Sequence, residues 1–167
     1  VTLPQRIDAT MIEILRSATP LWFITHFNHA RELSEAAATA LRALIDAGIT
    51  VQNQTVLLAG VNDSAETLET LFRGLVRSRV RPYYLLQMDP VRGTGHLRTP
   101  LDRALAIVER LQGRLSGIAL PKFICDTPNG RGKVPLFPDP IVARSEGVTT
   151  LRTFRGELVD YVDPPSS

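Results

Sequence analysis

Lys133 closes the run Asp126-Thr127-Pro128-Asn129-Gly130-Arg131-Gly132-Lys133, directly after the apolar segment Phe123-Ile124-Cys125. A lysine on a polar loop at the end of a strand is placed to form a Schiff base with an aldehyde cofactor. Burial or a neighbouring cation such as Arg131 must then lower its pKa enough to leave a neutral nucleophile. The competing reading is plain surface charge. The run is not a nucleotide-binding P-loop, because it lacks the full glycine spacing and the hydroxyl after the lysine. Asp126 and Asp89 each end an apolar segment. Asp89 can hold a ligand ammonium or cap a loop; Asp126, seven positions before Lys133 in a loop, need not touch it.

Three other clusters carry polar chemistry. His26 and His29, in Thr25-His26-Phe27-Asn28-His29, are metal-ligand types, but no cysteine or carboxylate nearby completes a set. Hydrogen bonding to a polar cofactor, or capping of a helix, suits them equally. Gln52-Asn53-Gln54-Thr55 interrupts an apolar strand. Its amides need partners, in a pocket or in water at a sheet edge. Tyr83, Leu85, Gln87 and Asp89 fall on one face by strict alternation. Arg92, His96 and Arg98 follow in a glycine-punctuated loop that can surround an anion or remain solvated.

The elements that must position these residues alternate. A helix is predicted over 4–16, with Ile7, Met11, Ile14 and Leu15 on its apolar face. A buried strand follows over 20–25, then a helix over 31–47 stopped by Gly48. The strand over 49–58 leads to a helix over 64–78, capped by an Asp63–Glu66 box. The strand over 80–88 precedes a helix that Thr99 caps and Pro100 begins, and the fourth strand spans 117–125. This order predicts parallel βα units with chemistry at the carboxyl edge of the sheet. Beyond Lys133, Pro135, Pro138 and Pro140 break the pattern. Short strands are expected at 141–143, 148–154 and 158–162, and Pro164-Pro165-Ser166-Ser167 is expected to be loose. The predicted division is 1–133, a partial barrel, and 134–167, a proline-rich strand extension.

Length and apolar content fit one ordinary domain or a piece of a larger one. Arginine far outnumbers lysine and the net charge is +2, with no concentrated basic tract, so nucleic acid is not the expected partner. Cys125 is the one cysteine, which excludes an intrachain disulfide and fits a reducing, cytoplasmic compartment. No stretch is long enough to cross a bilayer as a helix. The missing initiator methionine points to residues before Val1.

Several blocks in fixed order resemble the carboxyl-terminal part of the radical SAM lysine 2,3-aminomutase family. They are Thr25-His26-Phe27-Asn28-His29, Asn53-Gln54-Thr55-Val56-Leu57-Leu58 with Gly60, Asn62 and Asp63, and Arg79-Val80-Arg81-Pro82-Tyr83-Tyr84 with Asp89. His96-Leu97-Arg98-Thr99 follows, then Ser116-Gly117, Pro121, Asp126, Pro128, Gly130, Gly132 and Lys133. The resemblance implies an α/β fold, an incomplete parallel (β/α) barrel of radical SAM type with a carboxyl-terminal short-strand extension.

It further implies that Lys133 carries pyridoxal phosphate in Schiff-base linkage and that Asp89 and Asp126 bind the distal ammonium of substrate lysine. His26 and Gln54 then belong to the S-adenosylmethionine pocket. The implied reaction is conversion of L-lysine to β-lysine by radical 1,2-amino migration, in a homo-oligomer. A CxxxCxxC motif for the [4Fe–4S] cluster is absent from this chain, so the chain alone is expected to be incomplete. Asn129 and Arg131 also stand where the family often has glycine. The alternatives are an aminomutase for another amino acid, or a noncatalytic pyridoxal phosphate or amino-acid binding remnant.

Overall fold

A computed structural model describes residues 3–127 and 131–164. Pro128, Asn129 and Gly130 of the lysine run lie outside the described residues, as does Pro165-Ser166-Ser167, expected to be loose.

Pro4–Arg6 forms a single 3-10 turn, and the first α-helix, α1 (Ala9–Ser17), starts only after Asp8 accepts a hydrogen bond from the Met11 N–H. The sequence had suggested one continuous helix over 4–16; the Asp8 cap divides it. Ile14 turns outward at 59% exposure, while Ile7, Ile12 and Leu15 pack against the core. The strand β1 (Trp22–Thr25) leads to α2 (Glu35–Asp46), capped by Ser34, and then β2 (Thr50–Leu57). α3 (Ala65–Arg77) is capped by Ser64, which accepts from the Thr67 N–H. The expected Asp63–Glu66 box does not form, because Asp63 instead accepts from the Gly60 N–H and pairs with Arg103.

β3 (Arg81–Gln87) is followed by α4 (Leu101–Leu111), which has Pro100 at its N-cap. Thr99 is not the cap; it is buried, and its carbonyl accepts from Gln87 Nε2 at 2.7 Å. β4 is Lys122–Asp126, since the residues from Ser116 to Leu120 close a hydrogen-bonded turn where a strand had been expected.

The main sheet has the order β1-β2-β3-β4-β5, the first four strands parallel. β5 (Lys133–Pro135) is antiparallel to β4. Lys133 therefore begins a strand rather than ending a flexible loop, and Pro135 sits in that strand. The main sheet thus extends past position 133.

Strand order never reverses, so right-handed crossovers put α2, α3 and α4 on one face. Burial agrees. Val51, Asn53, Thr55 and Leu57 of β2, Leu85 and Gln87 of β3, and Phe123 of β4 point into the helix-covered core with Leu41, Leu44, Leu68, Leu71, Phe72 and Leu75. Each such leucine or phenylalanine contributes about 2 kcal/mol of apolar burial. The other face lacks that cover. Trp22 and Ile24, expected in a buried strand, are 64% and 42% exposed there.

The carboxyl-terminal residues form a second, antiparallel sheet of β6 (Ile141–Ser145), β7 (Val148–Arg152) and β8 (Leu158–Val162). It meets the main body where the Phe154 ring lies on Gly113, just past α4. Gly113 has φ of +71°, and a Cβ there would collide with the ring. Gly113→Ala is expected to cost about 2 kcal/mol, half of it from the left-handed backbone. In a Phe154→Ala background only that backbone part should remain. Thermal melts of the two singles and the double would show it; equal costs in both backgrounds would disprove the contact.

Candidate functional site

Asn53 is fully buried between β1 and β2. Its Oδ1 accepts from Thr25 Oγ1 and the Phe27 N–H, while Nδ2 donates to the Phe27 carbonyl and to Thr55 Oγ1. Asn28 is held in turn: its Oδ1 accepts from the Val56 N–H, and its carbonyl accepts from Asn62 Nδ2. His29 caps the Ala30–Glu32 turn through Nδ1, and Glu32 returns a contact to the His29 N–H. Four of the five residues in Thr25-His26-Phe27-Asn28-His29 are thus committed to fixing the loop. His26 alone is exposed and makes no side-chain hydrogen bond among the described residues. Among those residues no group of three or more His, Cys, Asp or Glu side chains could hold a metal.

Register carries the uncovered face from β1 to β5. Ile24 pairs with Gln52, Gln54 with Tyr84, Tyr84 with Lys122, and Asp126 with Lys133. Gln54 is half-buried on this face. The ladder shifts between Asn53 and Gln54, which pair with Pro82 and Tyr84 and leave Tyr83 as the extra residue of a β-bulge. Strict alternation had grouped Tyr83 with Leu85 and Gln87. The bulge instead moves it beside Tyr84, and the two rings stack with centroids 3.7 Å apart.

Asp126 and Lys133 form an ion pair across the β4–β5 ladder, with Nζ 2.6 Å from Oδ1 and 2.5 Å from Oδ2. The hydrogen bond to Asp126 holds the Lys133 pKa above its ordinary 10.5; burial opposes this, while the charges of Asp126, Tyr84 and Asp89 add to it. The ion pair's stabilisation is therefore present at neutral pH and is lost as pH rises through the raised value. Tyr83 is raised as well, first by its hydrogen bond with Tyr84, then by burial, with Lys122 and Lys133 pulling the other way. Asp89 is exposed just beyond β3, and its charge reaches Lys133. Arg92, His96 and Arg98 are exposed on the following loop.

One residue was passed over in the sequence reading. The chain has nineteen Lys and Arg residues together, and the lysines are only Lys122 and Lys133. Both stand on the uncovered face, Lys122 opposite Tyr84. The compositional bias was the available signal: Lys122 is one of only two lysines among many arginines.

The family model for lysine-2,3-aminomutase matches residues 108–167. The L-lysine 2,3-aminomutase of Fusobacterium nucleatum is 43% identical over 164 residues, 98% of this chain and 39% of that protein. This chain matches the lysine 2,3-aminomutase family along 98% of its own length. Another relative, the L-lysine 2,3-aminomutase of Bacillus subtilis, is 43% identical across 98% of the chain and 35% of its own length. The glutamate 2,3-aminomutase of Clostridioides difficile is 38% identical across 99% of the chain and 39% of its own length. The chain thus spans about two fifths of the length of these family members. A radical SAM methyltransferase from Sphaerobacter thermophilus superposes with a TM-score of 0.54 at 20% identity, over 74% of this chain and 38% of that structure. It shares the radical-SAM-like α/β fold class.

Proposed function

We propose that the chain is part of an amino-acid 2,3-aminomutase that converts L-lysine to β-lysine within a longer enzyme. The observation that carries this reading is the Asp126–Lys133 pair on the uncovered face, within the field of Asp89. Lys133, held protonated by Asp126 rather than neutral and able to condense with an aldehyde once it gives up that proton, lies within the charge of two carboxylates that favour a distal ammonium and repel a side-chain carboxylate. That charge pattern favours lysine over the glutamate on which the Clostridioides difficile relative acts.

The donor set fits pyridoxal phosphate: Lys133 to hold it, and the Tyr83–Tyr84 pair to offer aromatic surface nearby. Bound there, pyridoxal phosphate supplies an aldehyde for the substrate amine and a ring that spreads an unpaired electron. His26 and Gln54 stand on the uncovered side, where they would hydrogen-bond S-adenosylmethionine. The residues present do not fit an iron–sulfur cluster, because Cys125 is a single thiol. We place its ligands in the remainder of the enzyme.

The unreversed strand order supports a partial (β/α) barrel with the uncovered face as its inner wall, its boundary moved from 133 to the end of β5 at Pro135, and the residues after it as the extension. Exposed Leu158 and Val162 on β8 support a homo-oligomer. No described helix is long and apolar enough to cross a membrane. We place the enzyme in the cytoplasm, with no nucleic-acid partner.

The test is turnover by the complete enzyme under reducing, anaerobic conditions, with β-lysine read by NMR. Asp89→Asn should raise KM for lysine by about tenfold or more, the worth of a charge-assisted hydrogen bond, and change kcat less. Turnover of glutamate in preference to lysine would reject the reading.

A further inference from the structure

The Asp126 carboxylate already holds an ammonium, that of Lys133, on both of its oxygens. We propose that this pair is a self-occupied cation site: Lys133 sits where a ligand's distal ammonium would sit, so aldehyde capture at Lys133 and cation binding at Asp126 assist one another. The proposal rests on the reading of these two residues given above, and adds that their two roles are coupled.

The chemistry enforces the coupling. An ammonium offers Asp126 three N–H donors. Condensation requires Lys133 to give up a proton; its nitrogen then attacks the aldehyde carbon, a C=N bond forms and one water leaves. At most one N–H remains. The carboxylate loses the partner that satisfied it, and a buried or half-buried carboxylate without a partner is costly. An alkylammonium then restores the lost contacts. Conversely, a cation that takes Asp126 first releases Lys133 from the hydrogen bond that holds it protonated. Linkage makes the two effects equal in size. The other charged and titratable neighbours, Asp89, Tyr83, Tyr84 and Lys122, are present in both states and do not replace this contact.

The hairpin geometry favours exchange over rearrangement. Asp126 and Lys133 are held opposite one another by the β4–β5 ladder, and Thr127 closes the turn by donating its N–H and Oγ1 to the Gly132 carbonyl. Both side chains are partly exposed, Lys133 at 48% and Asp126 at 35%, so an incoming cation can reach the carboxylate without unfolding the strand pair.

Lys122 supplies an internal control. It is the other lysine of the chain, lies on the same face, and has no ion-pair partner among the described residues. The experiment exposes the protein to pyridoxal phosphate at about pH 8, where lysines are mostly protonated. Borohydride then traps the adduct, and the two lysine peptides are quantified by mass. N,N-dimethylbutylammonium is added as the cation, because it keeps one N–H yet cannot condense with an aldehyde. Tetramethylammonium, which has no N–H, matches the ionic strength.

Trapping at Lys133 should rise about fivefold or more with the N–H cation, within the usual range of site coupling, and stay level with tetramethylammonium. Lys122 should not respond. Asp126→Asn should trap quickly at Lys133 without added cation and ignore its addition; if that variant does not fold, the wild-type comparison decides alone. Efficient trapping at Lys133 that is unchanged or slowed by the N–H cation overturns the coupling and leaves the proposed function standing. Trapping at Lys122 with none at Lys133 overturns both.

Discussion

Lys133→Arg should abolish borohydride-stable pyridoxal phosphate on the peptide that contains position 133, while the peptide containing Lys122 labels as before. In the complete enzyme, turnover should fall to the level seen without pyridoxal phosphate. Arginine is the demanding choice of substitution. It keeps the positive charge, and its guanidinium can satisfy both Asp126 oxygens where the lysine ammonium now does. The strand pair should therefore stay folded, and far-ultraviolet circular dichroism should match the parent. What arginine lacks is an amine that can lose a proton near neutrality and attack an aldehyde. Survival of labelling at this peptide's position, or of turnover, would show that charge rather than nucleophilicity is what Lys133 contributes.

Asn53→Leu should be the most destabilising single change near the site, by about 3 kcal/mol in urea unfolding, through groups left buried without partners. Leucine keeps the branched outline of asparagine but is larger, so overpacking adds to the loss of polar contacts at this fully buried position. What disappears are the contacts to Thr25, Phe27 and Thr55. Each was satisfied by one amide that reads the main chain of β1's exit loop from the strand beside it. The consequence reaches His26, whose backbone lies between Thr25 and Phe27. A cost below about 1 kcal/mol would mean that water replaces the amide and that the loop is not fixed this way.

Much of this arrangement was legible in the sequence. The alternation of apolar strands with amphipathic helices located β1 to β4 and α2 to α4 within a few residues, because helix and strand periods differ and Gly48 stops α2. The tail strands at β6 to β8 followed from branched residues between two glycine turns. Misreadings came where a side chain had competing uses. Asp63 and Ser64 are adjacent cap formers, and only the backbone direction decides that Ser64 caps α3 while Asp63 holds the preceding turn. Thr99 looked like a cap because it precedes Pro100, yet its carbonyl is taken by Gln87 from a neighbouring strand. Such a long-range partner leaves no local signature.

The candidate site was legible as a set of residues and less so as a geometry. A glycine-punctuated run before Lys133 reads as loop, and three residues of antiparallel strand are too short to show a period. Tyr83 could not be placed because a bulge adds one position to β3 without altering its composition. Lys122 was visible only as one of two lysines among many arginines. Its meaning depended on learning that both share a face.

The pairing of β5 with β4 determines how this region tolerates change. Lys133 is opposite Asp126 because the strands are hydrogen-bonded in that alignment. A slip of the ladder by a single residue cannot be absorbed, since it would turn the amine to the opposite side of the sheet.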